Sequence, residues 1–343
     1  MSEPATISAP DDQMRRRVSA YPGTLTFHDL IRRNKRQSVV LMIVMVVLGV
    51  AVGGVIASAI AVRMGAAPDL ESLVPSIVLG CVVAFLAATL GTLWSWFGGA
   101  NAILRMSGAR EITKPLDPEL FNVVEEVAIA AGLPMPRVFL IDDSAMNAFA
   151  TGRDPKHAAV AITVGLRQKL TRDELQGVMA HEMAHVRHYD IRFSMLMATM
   201  VGLIAFACDA FWRILFYSRS GRGKGGKEGG GVIVVLYIAA IVLAILAPII
   251  ARIIQMAYSR QREYLADAGA VELTRNPLGL ASALQKLAND HEPLVDTANR
   301  GTAHMYIVNP LRKMRDAHQA LNSVFLSHPP IKERVARLLA LAR

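Results

Sequence analysis

The stretch His181-Glu182-Met183-Ala184-His185 holds the residue types with most chemical potential in this chain. Two histidines four positions apart on a helix face the same way, so both imidazoles can grip one zinc ion, and Glu182 reaches a water on it. A catalytic zinc needs a third protein ligand and one open position. Glu263, in Glu263-Tyr264-Leu265-Ala266-Asp267, is the best candidate, and Asp267 one turn later can accept a hydrogen bond from a ligand imidazole and fix its tautomer. His188 competes for the third place, but three ligands spread over about 10 Å of one straight helix cannot converge on one ion. Such a site, with zinc bringing the pKa of water toward about 7 and Glu182 shuttling its proton to a leaving amine, would hydrolyse peptide bonds.

The elements that must position these residues are largely apolar. The 343 residues are 53% hydrophobic with a mean hydropathy of +0.35, high for a water-soluble domain. Residues 38–62, 74–97, 194–217 and 232–254 are each long enough to cross a hydrocarbon layer about 30 Å thick. The first two carry no charge. The third holds Asp209 and Arg213 and the fourth Pro248 and Arg252, so that pair reads as spanning helices or as a partly embedded hairpin. Asp209 and Arg213 are the sole hint of a transporter. A polar, Arg-rich leader precedes the first apolar run, which is therefore an uncleaved anchor and not a signal peptide.

A net charge of +9 raises the question of nucleic acid, but Arg15, Arg16, Arg17, Arg32, Arg33, Lys35 and Arg36 all precede the first apolar helix. Positive-inside orientation accounts for them, so no nucleic-acid partner is expected. That rule puts the N-terminus and residues 98–193 in the cytoplasm and the Asp69/Glu71 loop outside. Against it, Arg219, Arg222, Lys224 and Lys227 are a heavy basic load for an outer turn. Cys81 and Cys208 lie inside apolar helices and indicate neither a disulfide framework nor a thiolate metal site.

The expected organisation is a basic leader (1–37), a transmembrane helix pair (38–97), a first protease segment (98–193), a helical hairpin (194–254) and a second protease segment (255–343). The two polar segments together would build one soluble domain. Asp117-Pro118 opens a helix that Gly132 stops. Residues 137–141 and 158–164 read as strands, with Asn147–Gly152 between them as an exposed edge strand. Thr171-Arg172-Asp173-Glu174 is a capping box, after which Leu175, Val178, Met179, Met183 and Val186 trace an apolar stripe, so the two histidines sit on a helix. Gly49 and Gly53 form a GxxxG pattern that favours close helix packing. His185 lies nine residues before residue 194 and Glu263 nine after residue 254, so both would stand about 13 Å beyond their membrane helices if those helices continue unbroken.

Taken together, His181-Glu-Met-Ala-His185, Glu263-Tyr-Leu-Ala-Asp267, Asn147-Ala148-Phe149-Ala150-Thr151-Gly152 and Ser327-His328-Pro329-Pro330 resemble the HtpX-type membrane proteases, relatives of the CAAX prenyl proteases. The likeness extends over most of the chain, although the leader is longer than in the bacterial relatives. It implies an α+β, mainly α architecture, with four membrane helices and a cytoplasmic gluzincin domain containing a small sheet. It implies one zinc per subunit on His181, His185 and Glu263, Glu182 as base, and residues 147–152 as the strand that aligns substrate backbone. By resemblance alone, His328 and Arg334 lie near the scissile carbonyl and stabilise its oxyanion. The implied role is quality-control proteolysis of unfolded or membrane-associated polypeptides in the cell (inner) membrane under envelope stress. A zinc-binding scaffold or regulator without turnover is the alternative; its site would not need Glu182 beside an open metal position.

Overall fold

Among the described residues, four helices are long and apolar enough to cross a bilayer, with spans at Arg36–Arg63, Leu70–Met106, Asp190–Leu215 and Tyr237–Gln255. The computed structural model describes residues 27–67, 69–217, 230–290 and 329–342. Residues 1–26 of the basic leader, the basic glycine-rich turn and His328 lie outside the described residues. Helix α1 (Phe27–Arg63) packs along α2 (Leu70–Trp94), which passes through a π-helical turn (Ser95–Gly99) into α3 (Ala100–Met106). The α1–α2 contact is backbone to backbone: a Cβ on Gly53 would lie 2.7 Å from the Gly80 carbonyl oxygen. Small residues permit this approach, and van der Waals contact then replaces a hydrophobic drive that lipid cannot supply.

Beyond α3 the chain forms a lobe of helices and a small sheet. Strand β1 (Arg110–Glu111) is followed by α4 (Pro118–Ala131), capped by the Asp117 side chain and closed by Gly132 at φ +67°. Strands β2 (Arg137–Ile141), β3 (Ala148–Thr151) and β4 (Ala159–Thr163) complete a mixed sheet in the order β1-β2-β4-β3. The β2–β4 pair is parallel and the other two pairs are antiparallel. Helices α5 (Val164–Lys169) and α6 (Arg172–Arg187) follow, then the membrane pair α7 (Asp190–Tyr217) and α8 (Gly230–Thr274), and finally α9 (Pro277–Asn289) and α10 (Ile331–Leu341). Helix α8 is 45 residues long, so it crosses the apolar zone and continues into the lobe.

Among the described residues the buried apolar side chains form three clusters, two of them large. One lies among the membrane helices and includes Met45, Val52, Met200, Phe211 and Ala247. The other joins Leu120, Val160 and Met179 from before the membrane hairpin to Leu284 and Leu338 from after it, so the lobe needs both chain segments.

The expected continuity of the ligand helices into the membrane holds for α8 and fails for α6. Helix α6 ends at Arg187, and Tyr189 turns the chain at φ +62° before α7 begins. The second span also runs past residue 97 as far as Met106.

Helices α6 and α9 meet as closely as the membrane pair. A Cβ on Gly177 would sit 2.6 Å from the Leu280 backbone nitrogen, which has no flexible side-chain end to move aside. Gly177→Ala is therefore expected to destabilise the lobe by about 1–3 kcal/mol through overpacking. Gly202→Ala, where nothing lies within 4 Å, is expected to be neutral or mildly stabilising. Thermal unfolding of both variants in detergent checks the contrast.

Candidate metal centre

The site is assembled on α6. Its N-terminus carries the full capping box, with Thr171 and Glu174 each bonding the other's backbone. Glu174 also accepts hydrogen bonds from Ser282 (2.6 Å) and Lys286 (2.7 Å) on α9. Burial alone would push its pKa up, but these partners bring it below the usual value, so the carboxylate stays charged and anchors the helix. Leu175, Val178, Met179, Met183 and Val186 are all fully buried, which fixes the rotation of α6 about its axis.

That rotation brings His181 and His185 against α8. His181 Nε2 lies 3.6 Å from Glu263 Oε2, and His185 Nε2 lies 3.5 Å from Glu263 Oε1. One ligand atom from each of the three residues falls within 4.8 Å of the others. The two rings meet edge to face, with centroids 4.8 Å apart.

Behind each ring stands a carboxylate. Asp267 Oδ1 is 3.0 Å from His181 Nδ1, and Asp190 Oδ2 is 3.0 Å from His185 Nδ1. Both Nδ1 atoms are thereby engaged, and both Nε2 atoms are turned to one point. Asp190 is a residue that sequence reasoning missed. Five residues after His185 on a continuous helix it would point about 140° away. The break at Tyr189 swings it back, which gives a physical reason for a tyrosine in the left-handed region.

Each of these carboxylates is in turn held by a buried arginine. Arg334 Nε and Nη2 reach Asp267 at 2.9 and 2.6 Å, and Arg334 Nη1 is 3.1 Å from Glu263 Oε2. Arg262 Nε is 3.0 Å from Asp190 Oδ1, and its Nη2 donates to Ser194 Oγ at 3.2 Å. Sequence reasoning also missed Arg262; its one signal is its place directly before Glu263.

The residues present fit a divalent cation. Glu182, Glu263, Asp190 and Asp267 face Arg262 and Arg334, all of them buried, which leaves two negative charges when the carboxylates are ionised. Two imidazoles and a carboxylate are also a zinc donor set. Unmetallated, the same excess draws protons onto the histidines. Burial works against a charged His185, but hydrogen bonds to Asp190 and Glu263 outweigh it and raise its pKa to about 10. For His181, burial and Arg334 oppose protonation, yet Asp267 and Glu263 still raise its pKa. Burial pushes Glu182 up, the direction that suits a group exchanging protons near neutral pH.

The Ala150 backbone N–H lies near Glu182 and favours its charged form, against burial. Strand β3 is at the sheet edge, as expected, but the side chains of Asn147, Ala148, Phe149 and Ala150 are buried, because α6 packs on one face and Leu104 and Ile141 line the other. Thr163 N–H bonds the Asn147 carbonyl, so by antiparallel alternation Ala148 and Ala150 direct their N–H groups outward. The Ala148 N–H donates to Asn147 Oδ1 at 3.0 Å, and the Ala150 N–H lies toward Glu182. His188 caps the end of α6, is buried, and lies outside the three-residue cluster. Pro330, of the Ser-His-Pro-Pro run, caps α10, which carries Arg334 inward.

The chain is similar to known proteins over most of its length. The family model described as peptidase family M48 matches residues 115–342. A Protease HtpX homolog of Dictyoglomus turgidum is 44% identical over 260 residues, covering 76% of this chain and 81% of that one. Its counterpart in Dictyoglomus thermophilum is 41% identical over 313 residues, covering 91% of this chain and 94% of that one. Among solved structures, the crystal structure of S. mikatae Ste24p is similar with a TM-score of 0.43 and 19% identity, over 78% of this chain and 65% of that one. With the family match running from just before α4 through α10, and curated proteases matching nearly end to end, this membrane protein belongs to peptidase family M48.

Proposed function

We propose that His181, His185 and Glu263 hold one zinc ion per subunit and that the chain is a zinc-dependent endopeptidase. The observation that carries this reading is the convergence of both Nε2 atoms on the Glu263 carboxylate, with a carboxylate locked behind each ring. When bound, zinc supplies the Lewis acidity that brings the pKa of a water toward about 7.

The remaining steps fall to the chain's own residues. Glu182 takes the proton of the attacking water and returns it to the leaving amine. An extended substrate pairs with the outward edge of β3, its carbonyl accepting from the Ala150 N–H beside Glu182. Arg334 holds Asp267 through Nε and Nη2 and faces Glu263 through Nη1, and its oxyanion role is proposed on the family resemblance. His328 is proposed as its partner there on the family resemblance. Folded proteins cannot present an extended strand without local opening, so unfolded and membrane-associated polypeptides are the proposed substrates, in quality-control proteolysis. The basic residues ahead of the first apolar run (38–62) support a cell (inner) membrane protein with the catalytic lobe in the cytoplasm.

Glu182→Gln should lose about 10²–10⁴-fold in casein hydrolysis while retaining its zinc. A zinc-loaded variant that keeps its activity would remove Glu182 from the role and leave a metal-binding scaffold. Asp190→Ala should weaken zinc binding by about 10–100-fold, measured by competition with a fluorescent chelator. Orientation is checked by single cysteines at Lys169 and Lys286, which lie side by side in the lobe. An impermeant thiol reagent applied to intact cells should label neither site, and labelling of either would reverse the topology.

A further inference from the structure

Outside the metal centre, an aromatic and cationic cluster lies where the catalytic lobe meets the membrane helices. The Arg192 guanidinium, on the first turn of α7, lies over two rings, 4.8 Å from the Trp96 centroid and 4.7 Å from the Tyr189 centroid. Its Nε donates to the Arg153 carbonyl at 2.6 Å. Arg153 covers Phe97, 5.6 Å from its centroid, and Lys156 is exposed on the same β3–β4 loop.

Charge is unbalanced there. Arg153 has Asp154 at 3.5 Å, and Asp154 also accepts a hydrogen bond from the His157 ring. Arg192 has no carboxylate partner among the described residues. Aromatic stacking holds a guanidinium by its faces and leaves its edge donors for a planar, bidentate oxyanion such as phosphate.

The depth of the cluster is set by helix length. The span Leu70–Met106 has 37 residues and so about 55 Å of helix, against a hydrocarbon layer of about 30 Å. Some 20 to 24 residues exhaust that layer, which brings Trp94, Trp96 and Phe97 to its rim on the lobe side. Trp94 and Phe97 are 60% and 70% exposed, as lipid-facing interfacial aromatics are. The start of α7 is at the same level, because Ser95 Oγ bonds the Met195 carbonyl.

We propose that Arg192 and Arg153 bind the phosphate of an anionic phospholipid at headgroup depth. The lipid then fastens the β3–β4 loop, and with it the edge strand that ends at Thr151, to the bilayer surface. A zwitterionic lipid brings its own cation to a patch already rich in cations, so an anionic headgroup is the better match.

The test uses the full-length protein in vesicles, with Trp94 and Trp212 replaced by phenylalanine so that Trp96 reports alone. Quenching by brominated phosphatidylglycerol is compared with quenching by brominated phosphatidylcholine. Phosphatidylglycerol should be preferred about fivefold, and Arg192→Gln should reduce that preference to about one. Arg187→Gln, whose arginine pairs with Glu272, should leave it unchanged. If Arg192→Gln does not fold, Arg153→Gln should give the same loss. Equal quenching by the two lipids, or a preference that survives the arginine substitutions, would overturn the proposal. So would a preference abolished by millimolar inorganic phosphate at constant ionic strength, since the ligand would then be a soluble anion. Each readout is independent of proteolysis, so the lipid site stands or falls apart from the catalytic reading.

Discussion

Two buried imidazoles must aim their Nε2 atoms at one point, and this constraint organises the centre of the protein. An imidazole in a closed interior keeps a chosen orientation only if its other nitrogen is hydrogen-bonded. Asp267 and Asp190 meet that need, but a buried carboxylate is itself costly unless a cation faces it. Arg334 and Arg262 answer that second need. Removing one member of such a buried pair costs about 3–5 kcal/mol, so the centre behaves as one unit. The two aspartate–arginine pairs leave Glu182 and Glu263 as the excess negative charge, which a divalent ion would neutralise.

The same network ties the lobe to the membrane. Arg262 and Glu263 are neighbours on α8, yet one side chain serves the α7 side of the site and the other serves the metal position. Asp190 and Ser194, which receive Arg262, sit at the head of a membrane helix. A tilt of α7 against α8 would therefore disturb the carboxylate behind His185. Arg334 brings the C-terminal helix into the same unit, since its fully buried guanidinium spans Asp267 and Glu263.

Much of this was legible in the sequence because it rests on local patterns. The capping box at Thr171 and Glu174, the stop at Gly132, the strand at residues 137–141 and the four apolar spans each follow from residues close together in the chain. The pairing of His181 and His185 with Glu263 was legible from residue type and helical spacing, although the break at Tyr189 removes one of the unbroken helices on which the height argument rested. Asp190 and Arg262 were not, because their contact crosses 72 residues and depends on a turn at Tyr189 with no glycine or proline to mark it. The burial of the β3 side chains escaped for a similar reason. Asn147–Thr151 alternates too weakly to disclose that both its faces are covered.

The central claim is that three residues, and not His188, supply the metal ligands. Its most direct test is zinc content per chain after purification from zinc-supplemented medium and removal of loosely bound metal, for wild type, Glu263→Ala and His188→Ala. The account predicts about one zinc per chain in wild type, nearly none in Glu263→Ala, and close to the wild-type value in His188→Ala. Zinc retained without Glu263 and lost without His188 would contradict it.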